Sequence, residues 1–262
     1  MLYLTKRRRN MLKKEKIIEH LREIGINPPK IVFYDEIDST NTRAKEYAEA
    51  DAGCETVVFI ANSQTAGRGR RGRSFVSNEG AGIYISILTY PTEDGFDATK
   101  TTAEAAVSLC RAVESLCPCE VKIKWVNDLF IGGKKLAGIL TEGKVLSDGK
   151  IAYSVVGMGI NVYKNAISDE ISAIATSIES EINQAPDRSR LAAMIIKEFL
   201  DRGDCYEEYK ARSFVIDREV TVVKLTESYP ARVIDINPDY SLLIDRDGVE
   251  ERLFTGEISI RI

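Results

Sequence analysis

Lys122-Ile123-Lys124-Trp125-Val126-Asn127-Asp128-Leu129-Phe130-Ile131-Gly132-Gly133-Lys134-Lys135-Leu136-Ala137-Gly138-Ile139-Leu140 is the stretch that decides how this chain is read. Val121, Ile123 and Trp125 alternate with Lys122 and Lys124, the period-two pattern of a strand with one buried face. Gly132-Gly133 separates two further β-type runs, and a glycine pair supplies the positive φ angles of a two-residue hairpin turn. Regular pairing about that turn sets Ile131 opposite Lys134, Phe130 opposite Lys135 and Asp128 opposite Ala137. Lys135 and Asp128 then share one face of the sheet, an ammonium beside a carboxylate. An ordinary ion pair across a surface hairpin is the competing reading.

Working outward, Ala98 to Leu116 is alanine-rich with apolar residues at helical spacing and reads as a buried helix. Ahead of it, Thr56 to Ala61 and Gly82 to Leu88 read as strands flanking Gly67-Arg68-Gly69-Arg70-Arg71-Gly72-Arg73. Four guanidiniums in six residues repel one another, and three glycines keep the backbone pliable, so this segment is expected to be a mobile loop. Arginine forks and exposed glycine amides suit phosphate or carboxylate oxygens. A solvated basic loop, or an Arg/Gly segment binding RNA, are the other readings.

Ile31 to Ile37 reads as a strand, and Asp38-Ser39-Thr40-Asn41 offers caps for a helix through about Ala50. Hydroxyls and amides at such a junction also hydrogen-bond ligands, so both uses can coexist. After the hairpin, Ile151 to Ile160 reads as a strand ending in Gly157-Met158-Gly159-Ile160-Asn161, whose glycines permit close backbone approach. Asp187 to Tyr209 has the periodicity of one long amphipathic helix. From about Phe214 the texture changes to short strands with turn residues at Asn237-Pro238-Asp239 and Asp247-Gly248, as in a small β-barrel.

Composition narrows the possibilities. The chain has 262 residues, 44% hydrophobic, with a net charge of −4, so positive charge is local, which weighs against a dedicated nucleic-acid binder. Residues 1–16 carry seven basic side chains and lead into one amphipathic helix built on Ile17, Ile18, Leu21 and Ile24. A helix-turn-helix needs more than one helix. Five cysteines without metal-type spacing point to reduced thiols and a cytoplasmic location, and Cys117-Pro118-Cys119 reads as incidental. The N-terminus has no apolar signal core, and no membrane association is expected. The single histidine, His20, is expected at the surface or in packing.

Taken in order, Asp38-Ser39-Thr40-Asn41, the Gln64 to Arg73 loop, Lys124-Trp125-Val126-Asn127-Asp128, Lys134 to Leu140, Gly157 to Asn161 and Gly256-Glu257-Ile258-Ser259-Ile260-Arg261 resemble the motifs of the biotin protein ligases. The resemblance covers about residues 31 to 262. It implies a two-step activity: biotin and Mg-ATP give biotinyl-5′-adenylate and pyrophosphate, and a lysine of a biotin carboxyl carrier protein then takes the biotinyl group. Residue by residue, it implies that Ser39, Thr40, Gln64, Gly67, Arg68, Arg70, Lys135 and Gly138 surround biotin. Arg70, Arg73, Phe75, Asn127, Lys135 and Asn161 are implied for ATP, and Lys135 and Arg70 for the reacting groups. Asp128 is expected to orient or deprotonate the acceptor lysine. Mg²⁺ is implied with ATP, and its ligands are not readable in the sequence.

The family commonly has proline where Val126 stands and tryptophan where Phe75 stands; Phe75 keeps an aromatic wall with less stacking area. The resemblance is to the form without an N-terminal DNA-binding domain, so no specific DNA binding is expected, while a homodimer remains open. Lipoate ligase on a related fold and a nucleic-acid-binding module are the rival functions. The expected fold is α/β (α+β), a central mixed sheet covered by helices followed by a small SH3-like β-barrel. The expected divisions are a basic leader and helix at 1–30, a catalytic domain at 31–212 and the barrel at 213–262.

Overall fold

Gly132 (φ 58°) and Gly133 (φ 79°) form the anticipated turn, in a hairpin toward one edge of a seven-stranded mixed sheet. The computed structural model describes residues 12–50, 53–91, 96–148, 150–224, 226–254 and 259–261. The basic leader through Met11 and Gly256-Glu257-Ile258 of the last motif lie outside the described residues.

In chain order the first part comprises α1 (Lys14–Glu23), β1 (Lys30–Ile37), α2 (Thr40–Ala50), β2 (Val57–Gln64), β3 (Gly82–Thr89) and α3 (Ala98–Leu116). Then come β4 (Lys122–Lys124), β5 (Asp128–Ile131), β6 (Lys134–Val145), β7 (Ile151–Asn161), α4 (Ile178–Ile182), α5 (Arg188–Leu200) and α6 (Tyr206–Arg212). The sheet order is β1-β2-β3-β7-β6-β5-β4. β1 and β2 pair in parallel through the α2 crossover, and every other pairing is antiparallel.

Alternation along β2 explains the layering. Val58 and Ile60 join the main core with α1, α3 and α5, whereas Val57 and Phe59 face a smaller cluster with Ala44 of α2, Leu88 and Val155. In α1, Ile17 and Leu21 are fully buried, each worth about 1.5–3 kcal/mol of apolar burial. The polar β1–α2 junction lies on the α2 side of the sheet, beside the arginine loop.

A second sheet follows: β8 (Glu219–Val223), β9 (Ser228–Ile236), β10 (Leu242–Arg246), β11 (Val249–Leu253) and β12 (Ser259–Arg261), in the order β11-β10-β9-β8-β12, all antiparallel. This is the small β unit expected after Phe214. Its core is continuous with the first: Val220, Val222, Val233 and Leu242 belong to the same buried cluster as Tyr209 and Trp125. The Trp125 indole donates to the Tyr240 carbonyl at 2.9 Å, fastening the small sheet to the strand end that leads to Asn127.

Two expectations are corrected. The long helix over 187–209 is two helices, α5 and α6, parted around Gly203, where the Asp204 side chain takes the Tyr206 amide. Asp128 pairs with Gly138, and Leu129 with Ala137, because the register shifts between Leu129 and Phe130 and leaves Leu136 as a bulge. The shift has a local reason: the Lys135 amide donates to Ile174 and its carbonyl accepts from Thr176, so this residue's backbone pairs with another segment. The arginine loop forms a hairpin closed by Gly69 N–Arg73 O (2.7 Å) and Phe75 N–Gly67 O (2.9 Å) with a 3₁₀ turn at Arg70–Gly72.

Candidate active site

Five chain segments meet on the α2 side of the sheet around one pocket. Ser39, Thr40 and Asn41 come from the β1–α2 junction and Gln64 from the end of β2. Arg68, Arg70, Arg71, Arg73 and Phe75 come from the loop, and Lys124, Asn127, Asp128, Lys135 and Gly138 from the β4–β6 region, with Gly157 and Gly159 of β7 at the base. The parallel β1–α2–β2 unit is why residues 39 and 64 adjoin: Ile37 pairs with Gln64, and the Thr40 amide donates to Gln64 Oε1 at 2.8 Å.

Charge is concentrated at one end. Lys135 Nζ lies 2.6 Å from Asp128 Oδ1, so the sheet-face pairing read from the hairpin holds despite the register shift. Arg70 Nη1 donates to Asn127 Oδ1 at 3.1 Å, and the Asn127 amide donates to the Ile139 carbonyl at 3.0 Å. Burial pushes the Arg70 guanidinium below its ordinary pKa range, opposed by the nearby Asp128 carboxylate. A desolvated cation of this kind is an anion receptor in waiting. Arg71, with φ 58°, instead reaches across to the small sheet and donates to the carbonyls of Val223 (3.1 Å) and Lys224 (3.3 Å).

The other end is lined by hydroxyls and amides, with the Arg68 guanidinium 4.0 Å from Glu142 at its edge. Thr40 Oγ1 is 3.1 Å from Gln64 Oε1, and Gln64 Nε2 donates to Ser77 Oγ at 2.9 Å. The glycines below are there for space. A Cβ on Gly157 would fall 2.0 Å from Asn41 Oδ1, and one on Gly159 would fall 2.5 Å from Phe75 Cε1. Phe75 thus lies against the β7 backbone, with its edge to Tyr84 (centroids 6.4 Å apart).

Two expected residues do not line the pocket. Gly67 sits behind it, where a Cβ would meet the Phe75 carbonyl at 2.3 Å. Asn161 is buried and donates to the Thr176 carbonyl at 3.1 Å, while the Thr176 amide donates to the Lys135 carbonyl. Its side chain therefore braces the Lys135 backbone. Reading the sequence missed Ser86, whose buried hydroxyl lies behind the pocket within 2.7 Å of Thr40 and Asn41, Glu142, which accepts from the Asn41 side chain, and the lining role of Lys124. Ser86 had a signal, a lone hydroxyl inside the apolar run Ile83 to Leu88, but Glu142 had none.

Known proteins resemble this chain in sequence and in fold. Residues 33–161 match the biotin/lipoate A/B protein ligase family. The bifunctional ligase/repressor BirA of Escherichia coli is 31% identical over 242 residues, covering 86% of this chain and 72% of that protein. The biotin–[acetyl-CoA-carboxylase] ligase of Mycobacterium tuberculosis is 31% identical over 196 residues, 70% of this chain and 71% of that one. The structure of a biotin protein ligase from Aquifex aeolicus in complex with biotin and ATP superposes with a TM-score of 0.76, covering 88% of this chain and 98% of that one; at 24% identity it speaks to the fold. The chain belongs to the biotin/lipoate A/B protein ligase family, and within it to the biotin protein ligases.

Proposed function

We propose that this chain activates biotin with ATP to biotinyl-5′-adenylate and transfers the biotinyl group to a lysine of a biotin carboxyl carrier protein. The observation that carries the proposal is one pocket with a neutral floor of Ser39, Thr40 and Gln64 at one end and Arg70, Asn127 and Lys135 at the other. A carboxylic acid with a polar ring system and a nucleotide would meet there.

In the first step a carboxylate oxygen of biotin attacks the α-phosphorus, the bond to the bridging oxygen breaks, and pyrophosphate leaves with the electron pair. The nucleophile is already ionised at neutral pH, so the site must bring two anions together, which calls for cations more than for a general base. Lys135 and Arg70 fill that role, with Arg73 toward the phosphates and Phe75 as the wall for the base. In the second step the acceptor amine attacks the activated carbonyl and AMP leaves. Asp128 orients that amine and receives its proton. Arg68 and Gly138 complete the biotin end, while Gly67 and Asn161 act from behind the pocket.

Mg²⁺ enters on this reading as part of the nucleotide substrate. Among the described residues no group of three or more His, Cys, Asp or Glu side chains is placed to hold a metal, and the pocket carboxylate Asp128 is engaged by Lys135. No step is therefore assigned to a protein-held ion. We extend the proposal to a cytoplasmic enzyme of two units, 31–212 and 213–262, that binds no specific DNA site. Among the described residues no helix is long and apolar enough to cross a membrane.

The test is pyrophosphate release from ATP with biotin, with lipoate and with neither acid, alongside Lys135→Ala. Biotin-dependent release that drops roughly ten- to hundredfold in the variant supports the proposal. Release with lipoate alone, or with neither acid, contradicts it.

A further inference from the structure

The chain reverses between β4 and β5 through Trp125-Val126-Asn127, a three-residue turn that the strand ladder leaves out: Lys124 pairs with Asp128, and the pairing stops there. Turns of this kind ordinarily lie in solvent, where water takes their backbone groups. This one is buried, with Trp125 3% and Val126 1% exposed, so its polar groups need partners from elsewhere in the fold.

Those partners come from two directions. The Asn127 carbonyl accepts from the Ile139 amide at 2.9 Å, and the Asn127 side-chain amide donates to the Ile139 carbonyl at 3.0 Å. The other two residues are held by the C-terminal part of the chain. The Val126 carbonyl accepts from Tyr209 Oη of α6 at 3.1 Å, and the Trp125 indole donates to the Tyr240 carbonyl at 2.9 Å. Tyr209 and Tyr240 meet edge to face with centroids 5.4 Å apart, so the two anchors brace each other. Burial holds the Tyr209 phenol well above its ordinary pKa range, and the hydroxyl therefore keeps its proton and its donor role.

A peptide unit is planar, so fixing the Val126 carbonyl also fixes the direction in which the Asn127 nitrogen leaves the turn. Asn127 Oδ1 in turn accepts from Arg70 Nη1 at 3.1 Å. A line of hydrogen bonds and backbone thus runs from Tyr209 through Val126 and Asn127 to the Arg70 guanidinium. Asp128 lies off this line: it sits in the ladder between Lys124 and Gly138, and Lys135 holds its carboxylate.

We infer that Tyr209, with Tyr240 beside it, is a positioning residue for adenylate formation, holding the buried 125–127 turn so that Asn127 keeps Arg70 aimed at the reacting groups. The inference rests on the biotin-ligase reading above. It separates the two half-reactions, because Asp128, which serves the second, is held by other bonds.

The experiment compares two phenols on α6. Tyr209→Phe removes the oxygen that holds Val126, whereas Tyr206→Phe removes one that donates to the Ile236 carbonyl at 2.7 Å, away from the turn. With the full chain, pyrophosphate release is measured while ATP and biotin are varied separately, transfer from preformed adenylate to carrier protein is timed in a single turnover, and a thermal melt is recorded. We expect Tyr209→Phe to lower kcat/KM for ATP roughly tenfold, with the KM for biotin and the transfer rate within about twofold of wild type. Tyr206→Phe, which also loses a hydrogen bond, should leave all three within about twofold. In an Asn127→Ala background, Tyr209→Phe should add less than about twofold, since both act on the Arg70 contact. Trp125 is the single tryptophan of the chain, so its fluorescence reads the turn itself: acrylamide quenching should rise in Tyr209→Phe and not in Tyr206→Phe.

Unchanged adenylate formation, an equal loss in transfer, the same loss in Tyr206→Phe, quenching at the wild-type level, or losses that multiply with Asn127→Ala overturn the inference. If Tyr209→Phe does not fold, Trp125→Phe, which releases the neighbouring anchor, must show the same split between the half-reactions, and an even loss in both steps overturns the inference equally. Wild-type enzyme that releases no pyrophosphate with biotin overturns the ligase reading itself, a result distinct from any pattern among the variants.

Discussion

The Lys135 ammonium and the Asp128 carboxylate meet 2.6 Å apart above Gly138, where a Cβ would lie 3.3 Å from Nζ and 3.5 Å from Oδ1. The pair sits on the floor of the pocket and not on an outer face, with side-chain exposures of 35% and 25%. On the proposed reading, an arriving phosphate or carboxylate would compete with Asp128 for Lys135, and Asp128 would then face the acceptor amine.

Asp128→Asn should separate the two half-reactions. Adenylate formation, which uses Lys135 and Arg70, should persist, while transfer from preformed adenylate to carrier protein falls roughly ten- to hundredfold. Single-turnover transfer measures this, and a normal transfer rate removes Asp128 from the second step.

Gly159→Ala should act on the nucleotide alone. The new methyl would occupy space 2.5 Å from Phe75 Cε1 and 2.7 Å from Cζ, so the ring must swing away from β7. We expect the KM for ATP to rise on the order of tenfold with the KM for biotin little changed, read in the pyrophosphate assay. Equal losses toward both substrates would show that Phe75 does not serve the nucleotide end.

The arginine loop should tighten when the site fills. Its anchor to the small sheet is Arg71, on the Val223 and Lys224 carbonyls. Limited trypsin cleavage within residues 67 to 73 should slow with biotin and ATP present, and Arg71→Gln should be nicked faster than wild type under both conditions. Cleavage indifferent to ligands contradicts the ordering.

Acid should loosen the joint between α3 and α6. Arg212 donates to Glu114 and Glu208, and Arg111 donates to Glu208. Burial favours the neutral acids, yet these bonds hold both carboxyls below the ordinary value of 4.5. Groups with depressed pKa values contribute stability that is complete above the unfolded value and is lost as pH falls through the folded one. Melting midpoints should therefore drop between about pH 5 and pH 3, and Arg212→Gln should lower the midpoint near pH 7 while flattening that dependence. A variant with the full wild-type slope would assign the acid sensitivity elsewhere.

Much of the site was legible because its parts are local. Gly132-Gly133 imposed a hairpin, and the hairpin brought Lys135 and Asp128 to one face. Ser39, Thr40 and Gln64 were named through the family resemblance, and the parallel βαβ unit is what brings that strand-to-helix junction beside the next strand's end. The bulge at Leu136 was not legible, since it answers to Ile174 and Thr176, far along the chain. Nor was the break before α6, where the apolar periodicity continues across Gly203 although the helix does not.

Residue types and short-range spacing determined the strands, the turn chemistry and the anion-seeking loop, because backbone preference and side-chain period are properties of neighbours in sequence. Only the tertiary structure decided which groups share protons and charge. Ser86 reads as one more strand residue until β3 is laid beneath Asn41, and Glu142 as one more surface acid until Lys45 and Asn41 close on it. Hydrogen bonds act over a few ångströms, and the partners here are up to 101 residues apart in the chain, so the fold alone brings them within reach.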